Sequence, residues 1–297
     1  MRDNLRGILL MVASMAGFAV EDMFVKIASQ TMPTGQILLM LGIVGTPIFA
    51  ALAQRNGRSV FSRAVFAGPV LLRNAGEMIG SLGFITAIAL TPLSSASAIL
   101  QATPLMVTFG AALFLGETVG WRRWTAIALG FVGVLIVIRP GMDGFQTASL
   151  WGVLAVFGMS IRDIATRRVP ASISTMQLAA WGFFAVVLLG LGLLAVRGGA
   201  VVPHAAQLGL IGGALFFGVA AYWAVIAAMR VGEVSAVTPF RYTRLIFALA
   251  IGMTVFGERP DLWTLGGAAL IIASGLYSVA RERLRARRTL ASVPIAG

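Results

Sequence analysis

Long uninterrupted runs of apolar residues dominate this chain, and short polar stretches separate them. The runs show no alternation of polar and apolar positions, so they predict helices and not the strands of a transmembrane barrel. A helix needs about 20 predominantly apolar residues to cross the hydrocarbon core of a membrane. We therefore predict ten membrane-spanning helices, at residues 5–25, 35–53, 65–90, 93–115, 121–138, 148–166, 174–196, 205–229, 234–256 and 262–280.

The composition agrees with a chain that lies almost wholly in a membrane. Hydrophobic residues make up 58% of the chain and charged residues 11%, against roughly 25% charged residues in soluble domains. The net charge of +12 does not indicate nucleic-acid binding, because the basic residues lie between the apolar runs. The chain has no cysteine and a single histidine, His204. These residues do not make a metal site, and we expect no metal and no cofactor.

The basic residues also orient the predicted helices. If the N-terminus lies inside, 15 Lys and Arg residues fall on that side, 4 fall on the other side, and 4 lie within spans. Cytoplasmic loops of membrane proteins are enriched in Lys and Arg. We therefore expect a multi-pass protein of a bacterial-type inner membrane, with both termini and a short basic C-terminal tail in the cytoplasm.

The two halves of the chain repeat one pattern. Gly116-Glu117 ends the fourth predicted span, and Gly257-Glu258 ends the ninth, 141 residues later. Five spans per half is an odd number, so the second half must cross the membrane in the opposite orientation. The predicted fold class is an all-α polytopic membrane protein of two inverted five-helix repeats, residues 1–140 and 141–297. Inverted repeats place a substrate site near the midplane in many transporters.

One segment in each half carries a family resemblance. In Ala89–Gly133 a helix of small residues leads into Gly-Glu, and a glycine-spaced helix follows; Ala228–Gly275 is a weaker counterpart in the same register. This pattern resembles the EamA-domain proteins of the drug/metabolite transporter superfamily. Within that superfamily the chain looks most like the YddG-type exporters of aromatic and other amino acids. The resemblance implies two EamA-like repeats and export of a small metabolite.

Ionisable residues inside the predicted spans are candidates for function, because each costs about 2.5–3.5 kcal/mol at a helix centre unless it is paired or hydrated. Arg241 and Arg244 lie just after Pro239, and proline loosens the preceding turn of a helix. An arginine there can bind a substrate carboxylate through two parallel hydrogen bonds. The alternative for both is an ion pair with Glu77 or Asp163.

Two further sets of charges in the spans have open interpretations. Glu77 stands four residues after Arg73 and can pair with it on one helix face, or it can bind a proton, a cation or a substrate ammonium. Arg162 and Asp163 are neighbours that we expect to point in different directions, with Arg162 reaching the membrane interface.

Acidic residues near the span ends have structural explanations. Water or Lys26 can satisfy Glu21 and Asp22. Glu117 and Glu258 each follow a glycine at a helix end, and we expect them to pair with nearby loop arginines.

The two halves differ where a midplane site would form. The first half has Gln101, Thr103 and Pro104 and no charge there, whereas the second half has two arginines. A site between the halves therefore suits a substrate that is charged at one end and apolar at the other. Aromatic rings in several spans can supply the apolar wall. The predicted substrate-binding residues are Phe84, Gln101, Trp181, Tyr222, Trp223, Phe240, Arg241, Tyr242 and Arg244. The residues predicted to serve gating or coupling are Glu77, Pro104 and Pro239.

We interpret the chain as a secondary transporter that exports small organic metabolites, amino acids foremost, by alternating access through a central cavity between the repeats. We expect it to work as a monomer in lipid. Export of cationic drugs, sugars or nucleotide-linked metabolites is the alternative. The sequence contains no nucleotide-binding G-x-x-x-x-G-K-[ST] motif, so it does not indicate ATP-driven pumping. A channel fits the paired charges less well. An intramembrane enzyme lacks metal ligands and a histidine inside a span, so no catalytic residue is assigned.

Overall fold

The computed structural model describes residues 2–117, 119–142 and 144–291, and every regular element within these ranges is helical. Helices occupy all ten predicted ranges, while residues 292–297 of the predicted tail lie outside the described residues. Short 3-10 segments cover Arg63–Phe66, Thr147–Ser149 and Thr238–Tyr242. The α-helices are α1 (Arg2–Ala28), α2 (Thr34–Arg55), α3 (Gly68–Leu90), α4 (Leu93–Leu100), α5 (Thr103–Phe114), α6 (Trp121–Ile138), α7 (Leu150–Thr166), α8 (Thr175–Arg197), α9 (Ala205–Val231), α10 (Val234–Val237), α11 (Thr243–Val255) and α12 (Leu262–Ala291).

Eight helical stretches in the described residues are long and apolar enough to cross a membrane. Helix α3 is not among them because Arg73, Asn74 and Glu77 lower its hydropathy. Helix α11 is not among them because it has 13 residues, the chain being interrupted just before it. The protein is therefore a helical, multi-pass membrane protein.

Short loops gather at two ends of the bundle. The end at which α1 begins also carries the connections from α2 to α3, from α5 to α6 and from α7 to α8. We call it the basic side, and we call the other end the opposite side. Equivalent glutamines tie loops together at each end. Gln177 Nε2 donates to Ser59 O at 2.6 Å on the basic side, and Gln36 Nε2 donates to Val201 O at 2.7 Å on the opposite side.

The main helix contacts join the first half of the chain to the second. Helix α1 packs on α9, α2 on α8, α3 on α7, and α6 on α12. Exchanging the two halves turns the α1–α9 pair into the α7–α3 pair and leaves the α2–α8 and α6–α12 pairs unchanged. The packing thus repeats between the halves as the sequence does.

Glycines bring these helix pairs close together. A Cβ atom on Gly83 of α3 would lie 2.6 Å from the backbone nitrogen of Ala155 in α7. A Cβ atom on Gly133 of α6 would lie 2.8 Å from the carbonyl oxygen of Gly267 in α12. Only hydrogen fits at either position, which explains much of the glycine content of a chain whose helices pack in lipid.

Candidate functional site

Two interrupted helices meet inside the bundle. The first interruption separates α4 from α5 at Gln101 and Ala102, and the second is the 3-10 segment Thr238–Tyr242 between α10 and α11. The two touch, because Gln101 Nε2 donates to the carbonyl oxygen of Tyr242 at 3.5 Å. Irregular backbone inside a membrane protein usually lines a cavity or a site, since lipid cannot satisfy its polar groups.

A proline stands at each interruption. Pro104 occupies the first turn of α5, and Pro239 lies within the 3-10 segment. Proline has no backbone N–H to donate to the preceding turn, so a continuous helix is disfavoured at both places. The gating role predicted for these two residues stays a prediction.

Four charged residues of α3 and α7 form a connected set, which we call the four-charge network. Glu77 accepts hydrogen bonds from Arg73 Nη2 at 3.1 Å and from Arg162 Nη1 at 3.4 Å, and Arg162 Nε donates to Asp163 at 2.9 Å. Two positive and two negative charges therefore compensate one another inside the bundle. The expectation that Arg162 and Asp163 point apart is wrong, because the Arg162 side chain folds onto its neighbour and reaches Glu77.

Arg244 of α11 binds an acidic residue of α1. Its Nη2 donates to both carboxylate oxygens of Asp22, at 2.9 and 2.8 Å, and its Nε donates at 3.2 Å. The guanidinium carbon lies 5.2 Å from the ring centre of Phe18 and 5.3 Å from that of Phe84. The predicted partners in the four-charge network are thus not used. Asp22 engages Nε and Nη2 of Arg244, and the predicted role of Arg244 in binding a substrate stays a prediction.

Arg241, in the interruption itself, is in a different situation. It is exposed, and its side chain makes no hydrogen bond or ion pair with any described residue. Its neighbours turn into the bundle, since Phe240 packs against the cluster around Met11 and Tyr242 is buried against Gly275. The Arg241 side chain therefore has free donors in the residue next to Tyr242, where the two interrupted helices touch, and guanidinium donors suit a carboxylate or a phosphate.

On the opposite side, Glu258 holds the start of α4. Its carboxylate accepts from the Leu93 nitrogen at 2.5 Å and from the nitrogen and Oγ of Ser94 at 3.0 and 2.7 Å. Lys26 Nζ lies 3.6 Å from this carboxylate and donates to two carbonyls at the end of α3, at 2.9 and 2.6 Å. We call Lys26 and Glu258 the opposite-side corner. Glu258 thus pairs with Lys26 of α1. The expectation that it pairs with a neighbouring loop arginine is wrong.

The basic side has an equivalent ion pair. Arg167 Nη1 donates to Glu117 at 2.7 Å. Arg167 lies 141 positions after Lys26, and Glu117 lies 141 positions before Glu258. We call Glu117 and Arg167 the basic-side corner. Its side chains are 40% and 49% exposed, whereas those of Glu258 and Lys26 are 9% and 14% exposed.

A cavity of about 220 Å³ lies beside the opposite-side corner, lined by both halves of the chain and, among others, by Ser95 and Gln146. At its rim Arg139 Nη2 lies 2.6 Å from Asp261, which also accepts from the Thr264 nitrogen at 2.8 Å. Partial burial raises the pKa of Asp261, but the hydrogen bonds from Thr264 and the charge of Arg139 outweigh it and hold that pKa below its ordinary value. No residue predicted to bind substrate lines this cavity.

Comparison with known proteins decides the family. A sequence profile of the EamA-like transporter family matches residues 5–139 and again residues 146–279. The chain belongs to the EamA-like transporter family. The family resemblance expected from the sequence is thereby confirmed, while the finer likeness to YddG-type exporters stays a prediction.

Relatives of this EamA-like transporter carry varied names. It is 30% identical over 211 residues to a riboflavin transporter of Rhizobium johnstonii, covering 71% of this chain and 69% of that protein. It is 25% identical over 213 residues to an S-adenosylmethionine uptake transporter of Rickettsia bellii, covering 72% of each. It is 26% identical over 275 residues to a pseudopaline exporter of Pseudomonas aeruginosa, covering 90% and 94%. The family and these relatives are transporters rather than enzymes.

The predicted aromatic wall is dispersed in this EamA-like transporter. Phe84 is buried next to Arg244. Trp181 is buried near the basic side, where its Nε1 donates to Val60 O at 3.0 Å. Tyr222 packs edge-on against Phe49, with ring centres 5.0 Å apart. Tyr222 also lies close enough to interact electrostatically with the four-charge network.

Trp223 does not share the position of Tyr222. It is 64% exposed and continues the exposed stripe of α9 that includes Gly212 and Phe216. The opposite face of α9, around Ala221, packs on Gly17 of α1. Trp223 thus lies on the exposed face of α9, and the prediction that it lines the site stays a prediction.

The acidic partners on α1 were not among the predicted site residues. Glu21 and Asp22 are charges inside a predicted span, but the sequence predicted that water or Lys26 would satisfy them. The Asp22–Arg244 pair joins residues 222 positions apart. The signal that could have found it is the excess of ionisable residues in α1 and α11 over what lipid tolerates.

Proposed function

We propose that this protein is a secondary transporter for a small organic metabolite with an anionic group, amino acids foremost. The observation that carries the proposal is Arg241, whose side chain has no partner among the described residues and which lies next to Tyr242, where the two interrupted helices touch. In the proposed site Arg241 binds the carboxylate, and Gln101 and Tyr242 form the floor next to it. Phe84 and Phe240 offer apolar surface to the rest of the substrate.

The architecture behind this proposal is ten membrane-spanning helices in two inverted repeats, residues 1–140 and 141–297. Two features support it: the family profile matches once in each half, and the helix pairs are preserved when the halves are exchanged. Helix α3 and the α10–α11 stretch then complete the set of ten. A single chain contains both repeats, so we propose that the monomer is the working unit.

We further propose that the basic side faces the cytoplasm of a bacterial inner membrane and that the substrate is exported by alternating access. The excess of Lys and Arg on that side supports the orientation. The difference between the two corners supports alternating access, because the opposite-side corner is buried while the basic-side corner is exposed. Glu77, Pro104 and Pro239 would then contribute to movement between the states.

Uptake is the second candidate direction. It is favoured by one relative that is named an uptake transporter. The substrates named for the relatives, riboflavin, S-adenosylmethionine and pseudopaline, also widen the range of molecules that an assay must include.

Counterflow in proteoliposomes tests the proposal. Vesicles are loaded with one unlabelled compound, and entry of the labelled compound is measured for amino acids, riboflavin, S-adenosylmethionine, sugars and cationic drugs. We expect exchange of an anionic or zwitterionic member of this panel. Arg241→Gln should abolish that exchange and Arg241→Lys should retain part of it, since lysine keeps the charge but not the two parallel hydrogen bonds.

Arg230→Gln is the matched control, because Arg230 is also an exposed arginine, at the end of α9. It should exchange substrate like the unmodified protein. Full exchange by a folded Arg241→Gln protein, or no exchange of any compound by the unmodified protein, would contradict the proposal.

A further inference from the structure

Glu21 is a second intramembrane acid on α1, and it faces α9. Its carboxyl group lies against the α9 backbone at Gly218, where a Cβ atom would be 2.8 Å from its Cδ and Oε1 atoms. Glu21 is partly buried, and no described residue gives its carboxyl group a hydrogen bond or an ion pair. Glycine at position 218 thus leaves room for a carboxyl group that has no fixed partner.

The cations nearest to Glu21 are committed to other groups. Arg244 interacts with Glu21 at longer range, but its hydrogen bonds go to Asp22. Lys26, at the end of α1, binds Glu258 and two carbonyls of α3. Glu21, Asp22 and Arg244 therefore carry one more negative than positive charge, whereas the four-charge network is balanced.

The other elements around α1 bring no cation to Glu21. Helices α4 and α10 contain no ionisable residue. The charges of α3, Arg73 and Glu77, belong to the four-charge network, and Tyr222 of α9 is also directed there. Arg241 of the 3-10 segment is exposed and has no bond with Glu21. The charged groups that interact electrostatically with Glu21 are thus Asp22, which repels its carboxylate, and Arg244, which attracts it.

An uncompensated charge inside a membrane-spanning helix is unfavourable. Binding one proton at a carboxylate oxygen of Glu21 removes the charge, and releasing the proton to water restores it. We propose that Glu21 is a proton-binding site and that its loading and unloading couple transport to a proton gradient. The coupling part rests on the proposed transport function, whereas proton binding does not.

Infrared difference spectroscopy on the purified full-length protein in lipid nanodiscs tests proton binding without any substrate. A step from alkaline to acidic buffer should produce the carbonyl stretch of a protonated carboxyl group. Glu21→Gln should lack this band, and Glu21→Asp should retain it at a shifted position. Asp163→Asn is the matched control, because Asp163 is also an acid in a span but is held by Arg162; its spectrum should keep the band.

Different results would overturn proton binding, coupling and transport. A band that persists in Glu21→Gln, or a folded unmodified protein that shows no band, overturns the proton site. In proteoliposomes, Glu21→Gln should keep counterflow but lose accumulation driven by a pH gradient. Accumulation equal to that of the unmodified protein overturns the coupling. If the unmodified protein moves no compound of the panel, the transport proposal fails, and the infrared result alone still decides whether Glu21 binds a proton.

Discussion

The two corners contain the same chemistry in different surroundings. Lys26–Glu258 and Arg167–Glu117 each join a basic residue near the end of the first helix of one repeat to the Gly-Glu corner of the other. At the opposite side, Glu258 also binds the start of α4, and both side chains are largely buried. At the basic side, both side chains are about half exposed. The repeated sequence therefore places equivalent groups at both corners, while burial decides how strongly each pair holds the helices together.

The strongest test of this difference is Glu258→Gln. The change leaves the Lys26 ammonium buried without a counter-ion and weakens the cap on α4. Removing one partner of a buried ion pair costs about 3–5 kcal/mol, so we expect a large fall in the free energy of unfolding. Thermal and denaturant unfolding in detergent, followed by circular dichroism, measure it.

Accessibility gives a second measure of the same change. The chain has no cysteine, so Ser95→Cys places a single reactive thiol in the wall of the cavity beside this corner. Adding Glu258→Gln should increase its labelling by a membrane-impermeant maleimide, whereas adding Glu258→Asp, which keeps the charge, should change it less. Stability and labelling that do not respond to Glu258→Gln would show that this corner does not hold the opposite side closed.

A smaller effect is expected from Asp261→Ala. Asp261 caps α12 and pairs with Arg139, and the equivalent residue on the basic side is Gly120, which has no such pair. Loss of an N-cap costs about 1 kcal/mol. Because the pKa of Asp261 in the folded protein lies below its ordinary value of 3.8, its charge stabilises the fold above that value. The stabilisation is lost as the pH falls through the lower, folded pKa.

The difference between Asp261→Ala and the unmodified protein should therefore be largest near neutral pH and should narrow in acid. Asp261→Asn is the control, since it retains the cap but not the charge. It should lose the pH-dependent part alone. A stability gap that stays constant from neutral pH into acid would mean that the charge of Asp261 contributes nothing.

The smallest effect is expected from Glu117→Gln. Exposed ion pairs contribute roughly 0.2–1 kcal/mol and are screened by salt. Unfolding should therefore shift only slightly, and added salt should remove the shift. A loss as large as that caused by Glu258→Gln would show that the two corners hold the helices equally, contrary to the difference in burial.

The sequence predicted the helices well because their apolar runs are long and uninterrupted. It also identified Pro104 and Pro239, which stand at the two interruptions, although not that Gln101 and Tyr242 would touch. The partners of the intramembrane charges were mostly missed. Periodicity within one helix identifies Arg73–Glu77, which lie one turn apart, but contains no information about Asp22–Arg244 or Lys26–Glu258. These pairs depend on which helices become neighbours.

The exposed position of Trp223 illustrates a second limit. Residues 222 and 223 are adjacent in sequence and both aromatic, and depth in the membrane alone does not tell them apart. Rotation of α9 separates them, because α1 packs on the face around Ala221 and leaves Trp223 exposed. That rotation is set by contacts between glycine and alanine on α1 and α9, near Gly17 and Ala221, which are 204 residues apart in the chain.

The interlocked halves impose an order on biogenesis. Helix α1 enters the bilayer with Asp22 long before its partner exists, because Arg244 is 222 residues further along the chain. At about 5–20 residues per second, the ribosome needs roughly 10–45 s to reach it. During that interval the carboxyl group must be sheltered by the insertion machinery, by water or by a proton. A ribosome that stalls within the second half would leave a nascent chain whose early helices have no partners to close upon.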